Sequence, residues 1–104
     1  MILDDYNQFP KYDPENMLER IDTLPDQLHE AWQIGSQHPL PQISGIGKVL
    51  IAGMGGSAIG ADLLVSYIAG QCPLPVFVHR DYGLPAWANG ADTLVIVSSH
   101  SGNT

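Results

Sequence analysis

The chain has 104 residues, enough for one domain with a modest core, and 44% of them are hydrophobic, which argues against global disorder. Four Lys and Arg against eleven Asp and Glu give a formal net charge of −7, which opposes nonspecific nucleic-acid binding because that binding needs clustered cations. A lone cysteine, Cys72, excludes both an intrachain disulfide and a cluster of metal-binding thiolates.

The N-terminus and the hydropathy pattern predict a cytoplasmic protein. Residues 1–6 contain two acidic side chains and lack the basic region and apolar run of a secretory signal. No apolar run approaches the length needed to cross a bilayer. We therefore expect neither a membrane nor a nucleic acid as partner.

The first residues predict an irregular arm that leads into a helix. Residues 1–12 are polar and aromatic without a period. Asp13 is a candidate N-cap, because its side chain can accept backbone N–H bonds and Pro14 suits the first helical position. Apolar residues then recur at helical spacing, and we predict that this helix ends near Asp22 or Thr23.

A second helix is predicted from about Pro25, since a proline ring breaks a continuous helix. We expect Gly35 to end this helix. Three of its side chains are predicted to face inward: Leu28, Ala31 and Trp32. Prolines and glycines make residues 38–47 a loop, so residues 1–47 are predicted to form a helical appendage.

Residues 48–104 have the pattern of an α/β domain. Apolar strands are predicted at 48–52, 75–79 and 93–97, with a short helical turn at 85–88. A helix between the first two strands, ended by Gly70, carries an apolar stripe: Ile59, Leu63, Leu64, Tyr67 and Ile68. This alternation predicts a parallel sheet with right-handed crossovers. Because three strands make a thin sheet, we expect the chain to be the first part of a longer protein.

A glycine-rich turn, residues 53–57, joins the first strand to this helix. Its glycines let the backbone bend sharply and approach a ligand, and a helix N-terminus favours an anion. Gly53, Gly55 and Ala58 also satisfy the loose G-x-G-x-x-A dinucleotide fingerprint. Asp81, near the end of the next strand, would suit a ribose-binding acid. This turn alone leaves three interpretations open: phosphate binding, dinucleotide binding and a tight turn without a ligand.

A second polar loop, residues 98–104, follows the third strand and favours a phosphate site. Ser99, Ser101 and Thr104 place three hydroxyls within six residues, and Gly102 allows a turn that brings them together. Both loops follow carboxyl ends of predicted parallel strands, where α/β sheets bind ligands. Loops of this composition are also common as plain turns, but a dinucleotide domain has no need for the three hydroxyls.

The two loops together resemble the sugar isomerase (SIS) domain, through Gly53-Met54-Gly55-Gly56-Ser57 and Ser99-His100-Ser101-Gly102-Asn103-Thr104. Residues 80–87, Arg-Asp-Tyr-Gly-Leu-Pro-Ala-Trp, and the helical appendage are similar to the bifunctional phosphoglucose/phosphomannose isomerases. The resemblance spans roughly residues 13–104. It implies a doubly wound, Rossmann-like SIS fold, of which residues 48–104 are the incomplete first part, in an enzyme with two SIS domains.

The resemblance also implies a substrate site. Three residues would contact the sugar phosphate near its reacting end: Gly55, Gly56 and Ser57. Three would hold its phosphate: Ser99, Ser101 and Thr104. His100 departs from the family pattern, in which a tyrosine commonly stands between the two serines, and this change could alter the loop. No metal is implied, and we predict no cofactor.

The family's reaction interconverts glucose 6-phosphate or mannose 6-phosphate with fructose 6-phosphate. It opens the ring, abstracts a proton beside the carbonyl and passes through an enediol, which needs a positioned base and a proton donor. The family's Glu base, Arg and His lie downstream of the phosphate loop, so we expect the catalytic residues beyond Thr104. We expect the 104-residue chain to be inactive alone, and the complete enzyme to be a homodimer.

Several residues and two other functions remain to be weighed. Three carboxylates are not expected to replace the base: Asp62, Asp81 and Asp92. Three histidines are expected to be surface or packing residues: His29, His38 and His79. A SIS module could instead sense a sugar phosphate without converting it. A nicotinamide-dependent dehydrogenase is the less favoured alternative.

Overall fold

Three parallel strands form the sheet of the computed structural model, which describes all residues from 1 to 104. The chain divides into two units, residues 1–41 and 42–104. Its elements in chain order are α1 (Phe9–Tyr12), α2 (Met17–Asp22), α3 (Leu24–Gln37), β1 (Lys48–Ala52), α4 (Gly56–Ile68), β2 (Val76–His79) and β3 (Thr93–Val97). None of the helices is both long enough and apolar enough to span a membrane.

Strand β1 is the centre of the sheet. It pairs in parallel with β2 on one side and β3 on the other, so the strand order is β2-β1-β3. Successive side chains of a strand point to opposite faces, and Leu50 and Ile51 are both buried, at 1% and 6% exposure. Strand β1 is therefore covered on both faces, as its continuous apolar sequence predicts.

The strand predictions are confirmed. The observed bounds of β1 and β3 match the predicted ranges 48–52 and 93–97. Strand β2 begins at Val76, one residue later than predicted, because Pro75 has no N–H to donate to the ladder. The carbonyl of Pro75 still accepts the N–H of Val49, at 2.9 Å.

The two connections of the sheet run in opposite directions. Helix α4 leads from β1 outward to β2, and residues 80–92 lead back across the sheet to β3. Right-handed crossovers that run in opposite directions lie on opposite faces. In the second connection Trp87 packs on Phe77, with ring centroids 4.9 Å apart, and the Lys48 ammonium lies 5.6 Å from the Trp87 ring centroid. The predicted α/β fold class, with a parallel sheet wound on both faces, is confirmed.

The second connection contains a turn instead of the predicted helical turn at 85–88. The Ala88 N–H donates to the Pro85 carbonyl at 2.9 Å, which closes a single turn. No helical residue is present in this connection.

Helix α4 packs through small side chains. Ala58 and Ala61 are its buried residues, and its contacts are with β1 and β2. Four large residues of the predicted apolar stripe are exposed: Ile59, Leu63, Leu64 and Tyr67. The helix prediction holds, and Gly70 lies two residues beyond its last residue. The stripe, however, does not face the sheet.

Helix α2 starts later than predicted. It begins at Met17, and the Asp13 carboxylate accepts the N–H groups of Met17 and Leu18 at 2.8 and 2.9 Å. Asp13 therefore caps the helix across an intervening turn in which Asn16 has a φ of 55°. Its end at Asp22 is as predicted. The predicted irregular arm before Asp13 contains short 3-10 turns and α1.

The prediction that Gly35 ends the second helix is wrong. Helix α3 runs through Gly35 to Gln37, because a glycine inside a helix costs only about 1 kcal/mol. The helix ends where His38 precedes Pro39, since a residue before proline is pushed out of the helical region. Its three predicted inward side chains are exposed instead: Leu28, Ala31 and Trp32. The predicted domain boundary at 47/48 stays a prediction.

Truncating the central core residue tests the packing of the sheet. We expect Leu50→Ala to lower the free energy of unfolding by about 2–5 kcal/mol, because it removes buried methyl groups and leaves a cavity. The matched control is Leu63→Ala on α4, where the side chain is 69% exposed and the loss should stay below about 0.5 kcal/mol. Urea unfolding followed by circular dichroism measures both, and equal losses would contradict the assigned core.

The Asp13 cap predicts a pH dependence of α2. The backbone N–H of Leu18, and then that of Met17, lowers the pKa of Asp13 below its ordinary 3.8. The cap is present above the pKa of the unfolded chain and is lost as the pH falls through the lowered folded value. The protection factors of the Met17 and Leu18 amides, which compare exchange with the intrinsic rate at each pH, should fall over that window in the wild type. In Asp13→Asn the same amides should exchange with no such pH step.

The control for this titration is Glu15→Gln, which neutralises a nearby carboxylate that makes no side-chain hydrogen bond. It should keep the wild-type pH step at both amides. A step that persists in Asp13→Asn, or disappears in Glu15→Gln, would contradict the cap.

Candidate functional site

The pairing of β1 with β3 brings the two polar loops together. Beyond the strand ends, the Ser98 N–H still donates to the Ala52 carbonyl at 2.8 Å. The loops at 53–57 and 98–104 therefore start side by side at the carboxyl edge of the sheet. The chain leaves this edge after β1 to enter the glycine-rich turn and α4, and after β3 to enter the second polar loop. Ligands of open α/β sheets bind outside the carboxyl ends of the strands.

Gly53 is required by the closeness of the two loops. A Cβ at this position would lie 3.2 Å from the Ser98 carbonyl oxygen and 3.3 Å from the Ala58 nitrogen. Gly55 is required for a different reason, since its φ of +55° with ψ of −126° is strained for any residue with a side chain. The first glycine allows the close approach, and the second turns the chain into α4.

The turn leaves hydrogen-bond donors free at the start of α4. The N–H groups of Gly55 and Gly56 make no hydrogen bond, whereas the Ser57 N–H donates to the Met54 carbonyl at 3.2 Å. The Ser57 hydroxyl also has no partner. With the helix dipole, these donors make the turn suitable for an anion.

The hydroxyls of the second loop accept backbone bonds and keep their own protons free. Ser99 Oγ accepts the Gly102 N–H at 2.9 Å, and Ser101 Oγ accepts the Asn103 N–H at 3.1 Å. Gly102 has a φ of +75°, as its place in this turn requires. A hydroxyl that accepts from the backbone can still donate one hydrogen bond. Both serines are thus arranged as donors toward a ligand.

Two adjoining pockets lie at this edge. The outer pocket has a volume of about 520 Å³ and is lined by Met54, Gly56, Ser57, His100, Ser101 and Thr104. The inner pocket has a volume of about 170 Å³ and lies among Gly53, the loop at 81–84, and the start of the second polar loop, including Ser99. Met54 and Thr104 line both pockets, so the two are neighbours.

The predicted site residues are distributed over both pockets. Four of the six line the outer pocket: Gly56, Ser57, Ser101 and Thr104. Ser99 lines the inner pocket, and Gly55 lines neither pocket but forms the turn. Their individual roles toward a ligand stay predictions. Sequence reasoning assigned no binding role to Tyr82, Gly83 or Leu84, although the turn residues after β2 mark this loop.

His79 holds the loop that forms one wall of the inner pocket. It is the last residue of β2, is half-buried, and its Nε2 lies 2.6 Å from the Gly83 carbonyl oxygen. Within the loop, the Asp81 carboxylate accepts the Tyr82 N–H at 2.7 Å. Arg80, at the start of the loop, forms an ion pair with Asp62 of α4. These contacts tie the loop to the sheet and to the helix.

The charges around the two pockets are unusual for an anion site. Residues 42–104 contain two Lys and Arg side chains, Lys48 and Arg80, and neither lines a pocket. Asp81 lines the inner pocket as a carboxylate. No group of three or more His, Cys, Asp or Glu side chains is placed to hold a metal ion. A bound anion would therefore rely on neutral donors.

A comparison with curated proteins decides the family. The chain is 46% identical over 89 residues, or 85% of its length, to a bifunctional phosphoglucose/phosphomannose isomerase of Caldicellulosiruptor bescii. This similarity places the aligned residues in that isomerase family. The match is partial, since the chain spans about a quarter (26%) of the relative's length. No family model and no solved structure matches the chain.

Two alanine substitutions test the close approach of the loops. Gly53→Ala should lower the free energy of unfolding by about 1–3 kcal/mol, because its Cβ crowds the Ser98 carbonyl. Gly60→Ala, inside α4 with nothing within 4 Å of its Cβ, should raise it by about 0.5–1 kcal/mol. Thermal unfolding measures both, and effects of the same sign would contradict the assigned geometry.

Proposed function

We propose that this chain supplies the sugar-phosphate-binding loops of an aldose–ketose isomerase. The reaction would interconvert glucose 6-phosphate or mannose 6-phosphate with fructose 6-phosphate through an enediol. The observation that carries the proposal is the meeting of both polar loops at one pocket between β1 and β3. The partial match to a protein named for phosphoglucose and phosphomannose isomerisation supports this substrate class.

The phosphate would bind in the outer pocket. This assignment is supported by the donors that remain free there: the N–H of Gly56 and the hydroxyls of Ser57, Ser101 and Thr104. It departs from the resemblance, which gives Ser99 to the phosphate, and Gly56 and Ser57 to the reacting end of the sugar. Each hydrogen bond to a charged oxygen contributes about 1.5–3 kcal/mol. His100 lines the same pocket, where a tyrosine is common in the family, and leaves these donors in place. The sugar would extend from there toward the inner pocket.

The isomerisation chemistry would need groups beyond these loops. Proton transfer between the carbonyl carbon and the carbon next to it requires a base within hydrogen-bond reach, and ring opening requires a proton donor. The residues that line the outer pocket include no carboxylate. We assign the base and the acid to other parts of the isomerase, since the chain spans about a quarter of its relative's length. We also propose that the complete isomerase is a homodimer.

Removing one hydroxyl tests the phosphate site. We expect Ser101→Ala to weaken fructose 6-phosphate binding by about tenfold, because a hydrogen bond to a charged oxygen is lost. Ser66→Ala is the matched control, since Ser66 is exposed on α4 outside both pockets. Calorimetric titration of the chain measures both affinities. Equal affinities for the two variants would argue against the phosphate assignment.

Turnover separates an isomerase from a sensing module. A longer protein that contains this chain should convert fructose 6-phosphate to glucose 6-phosphate or mannose 6-phosphate, and the 104-residue chain alone should bind phosphate weakly without turnover. Binding by the longer protein without conversion would favour the sensing module. Turnover by the chain alone would contradict the assignment of the base to other parts of the enzyme.

One observation favours the dehydrogenase alternative. Asp81 follows β2 and lines a pocket with Gly53, as a ribose-binding acid beside a glycine turn would. Saturable binding of NAD(H) that survives combined Ser99→Ala and Ser101→Ala would support this function. Under the isomerase proposal, NAD(H) does not saturate the chain, and the same double substitution abolishes sugar-phosphate binding.

A further inference from the structure

The inner pocket differs from the outer one in the chemistry that it offers. The outer pocket presents N–H and O–H donors, whereas the lining of the inner pocket includes Asp81 together with Ser99 and Thr104. An ionised carboxylate accepts hydrogen bonds and cannot donate them. The inner pocket is therefore suited to a group that donates hydrogen bonds and carries no negative charge.

We propose that Asp81 is a specificity-determining residue that binds sugar hydroxyls in the inner pocket, with His79 as the positioning residue for its loop. This inference rests on the proposed function and deepens it. Asp81 would orient the ligand, because its charge repels the phosphate while its oxygens accept hydroxyl protons. The phosphate would stay among the donors of the outer pocket.

The contacts around Asp81 leave its carboxylate available. One oxygen, Oδ1, accepts the Tyr82 N–H at 2.7 Å, and the other makes no hydrogen bond. The neighbouring guanidinium of Arg80 is engaged by Asp62, so it does not neutralise Asp81. Lys48 lies over the Trp87 ring and does not line the pocket. Asp81 thus lines the pocket with one carboxylate oxygen unpaired and without a cationic partner.

His79 fixes where this carboxylate lies. The Gly83 carbonyl can only accept, so His79 Nε2 carries the hydrogen of their 2.6 Å hydrogen bond. Gly83 has a φ of +74°, which lets the loop turn back toward the histidine ring. The hydrogen bond joins the two ends of the short segment 79–83, and Asp81 lies at the centre of that segment. Without the His79 N–H donor, the loop that forms one wall of the inner pocket would no longer be held against β2.

The test compares two ligands on the 104-residue chain. Asp81→Asn keeps the size of the side chain and its acceptor for Tyr82 but removes the charge. It should weaken fructose 6-phosphate binding by about tenfold and leave the affinity for inorganic phosphate unchanged. Asp92→Asn makes the same charge change outside both pockets and should affect neither ligand.

His79 variants supply the second measurement. His79→Phe should lower the affinity for fructose 6-phosphate but not for phosphate, and His79→Gln, which retains an N–H donor, should restore much of it. Circular dichroism identifies any variant that fails to fold, and Asp81 is exposed, so its substitution leaves the core unchanged.

The outcomes separate the two proposals. Equal effects of Asp81→Asn on both ligands, or none on either, would overturn the role of Asp81. If His79→Gln does not restore the fructose 6-phosphate affinity that His79→Phe loses, the role of His79 is overturned. If the wild-type chain binds neither ligand, the proposed function fails. If it binds phosphate and fructose 6-phosphate equally well, the phosphate site stands and the sugar subsite is overturned.

Discussion

The approach of the β3 backbone to Gly53 is the constraint on which the site depends. The Ser98 N–H extends the β1–β3 ladder by one bond, and its carbonyl passes 3.2 Å from where a Cβ of residue 53 would be. Both polar loops leave the sheet from this point. A side chain at residue 53 would crowd the Ser98 carbonyl and the Ala58 nitrogen, so the backbone that carries both loops would have to shift.

The strands were predictable because their sequence and their environment agree. Continuous apolar runs bounded by glycine, proline or polar residues allow few alternatives, and a central strand such as Lys48–Ala52 needs cover on both faces. Helix ends were less predictable. Gly35 is a weak stop compared with the pair His38–Pro39, and Asp13 caps from a distance because a turn intervenes. Both outcomes depend on competition between local signals of similar strength.

The direction of α4 could not be predicted from its apolar period. The stripe that contains Ile59, Leu63 and Tyr67 has helical spacing, but a period shows only that residues share a face and not what lies opposite it. The sheet instead contacts Ala58 and Ala61, since small side chains allow the close approach that Gly53 already imposes at the start of the helix. Steric need at the turn therefore decided which face packs.

Separation along the chain decided which part of the site was visible in the sequence. Ser99, Ser101 and Thr104 are neighbours in the chain, so one local loop places them at the same edge of the sheet. The loop held by His79 reaches the site only through the placement of β2 beside β1, which no local motif encodes.

Charge then determines what these pockets can recognise. No Lys or Arg side chain lines either pocket, so the site does not offer a bound anion a strong cationic attraction. Under the proposed function, discrimination would come from directed hydrogen bonds, which favour a ligand that places one anionic group and several hydroxyls at fixed distances. An anion alone would then satisfy one part of the proposed site, and a neutral sugar alone would satisfy the other.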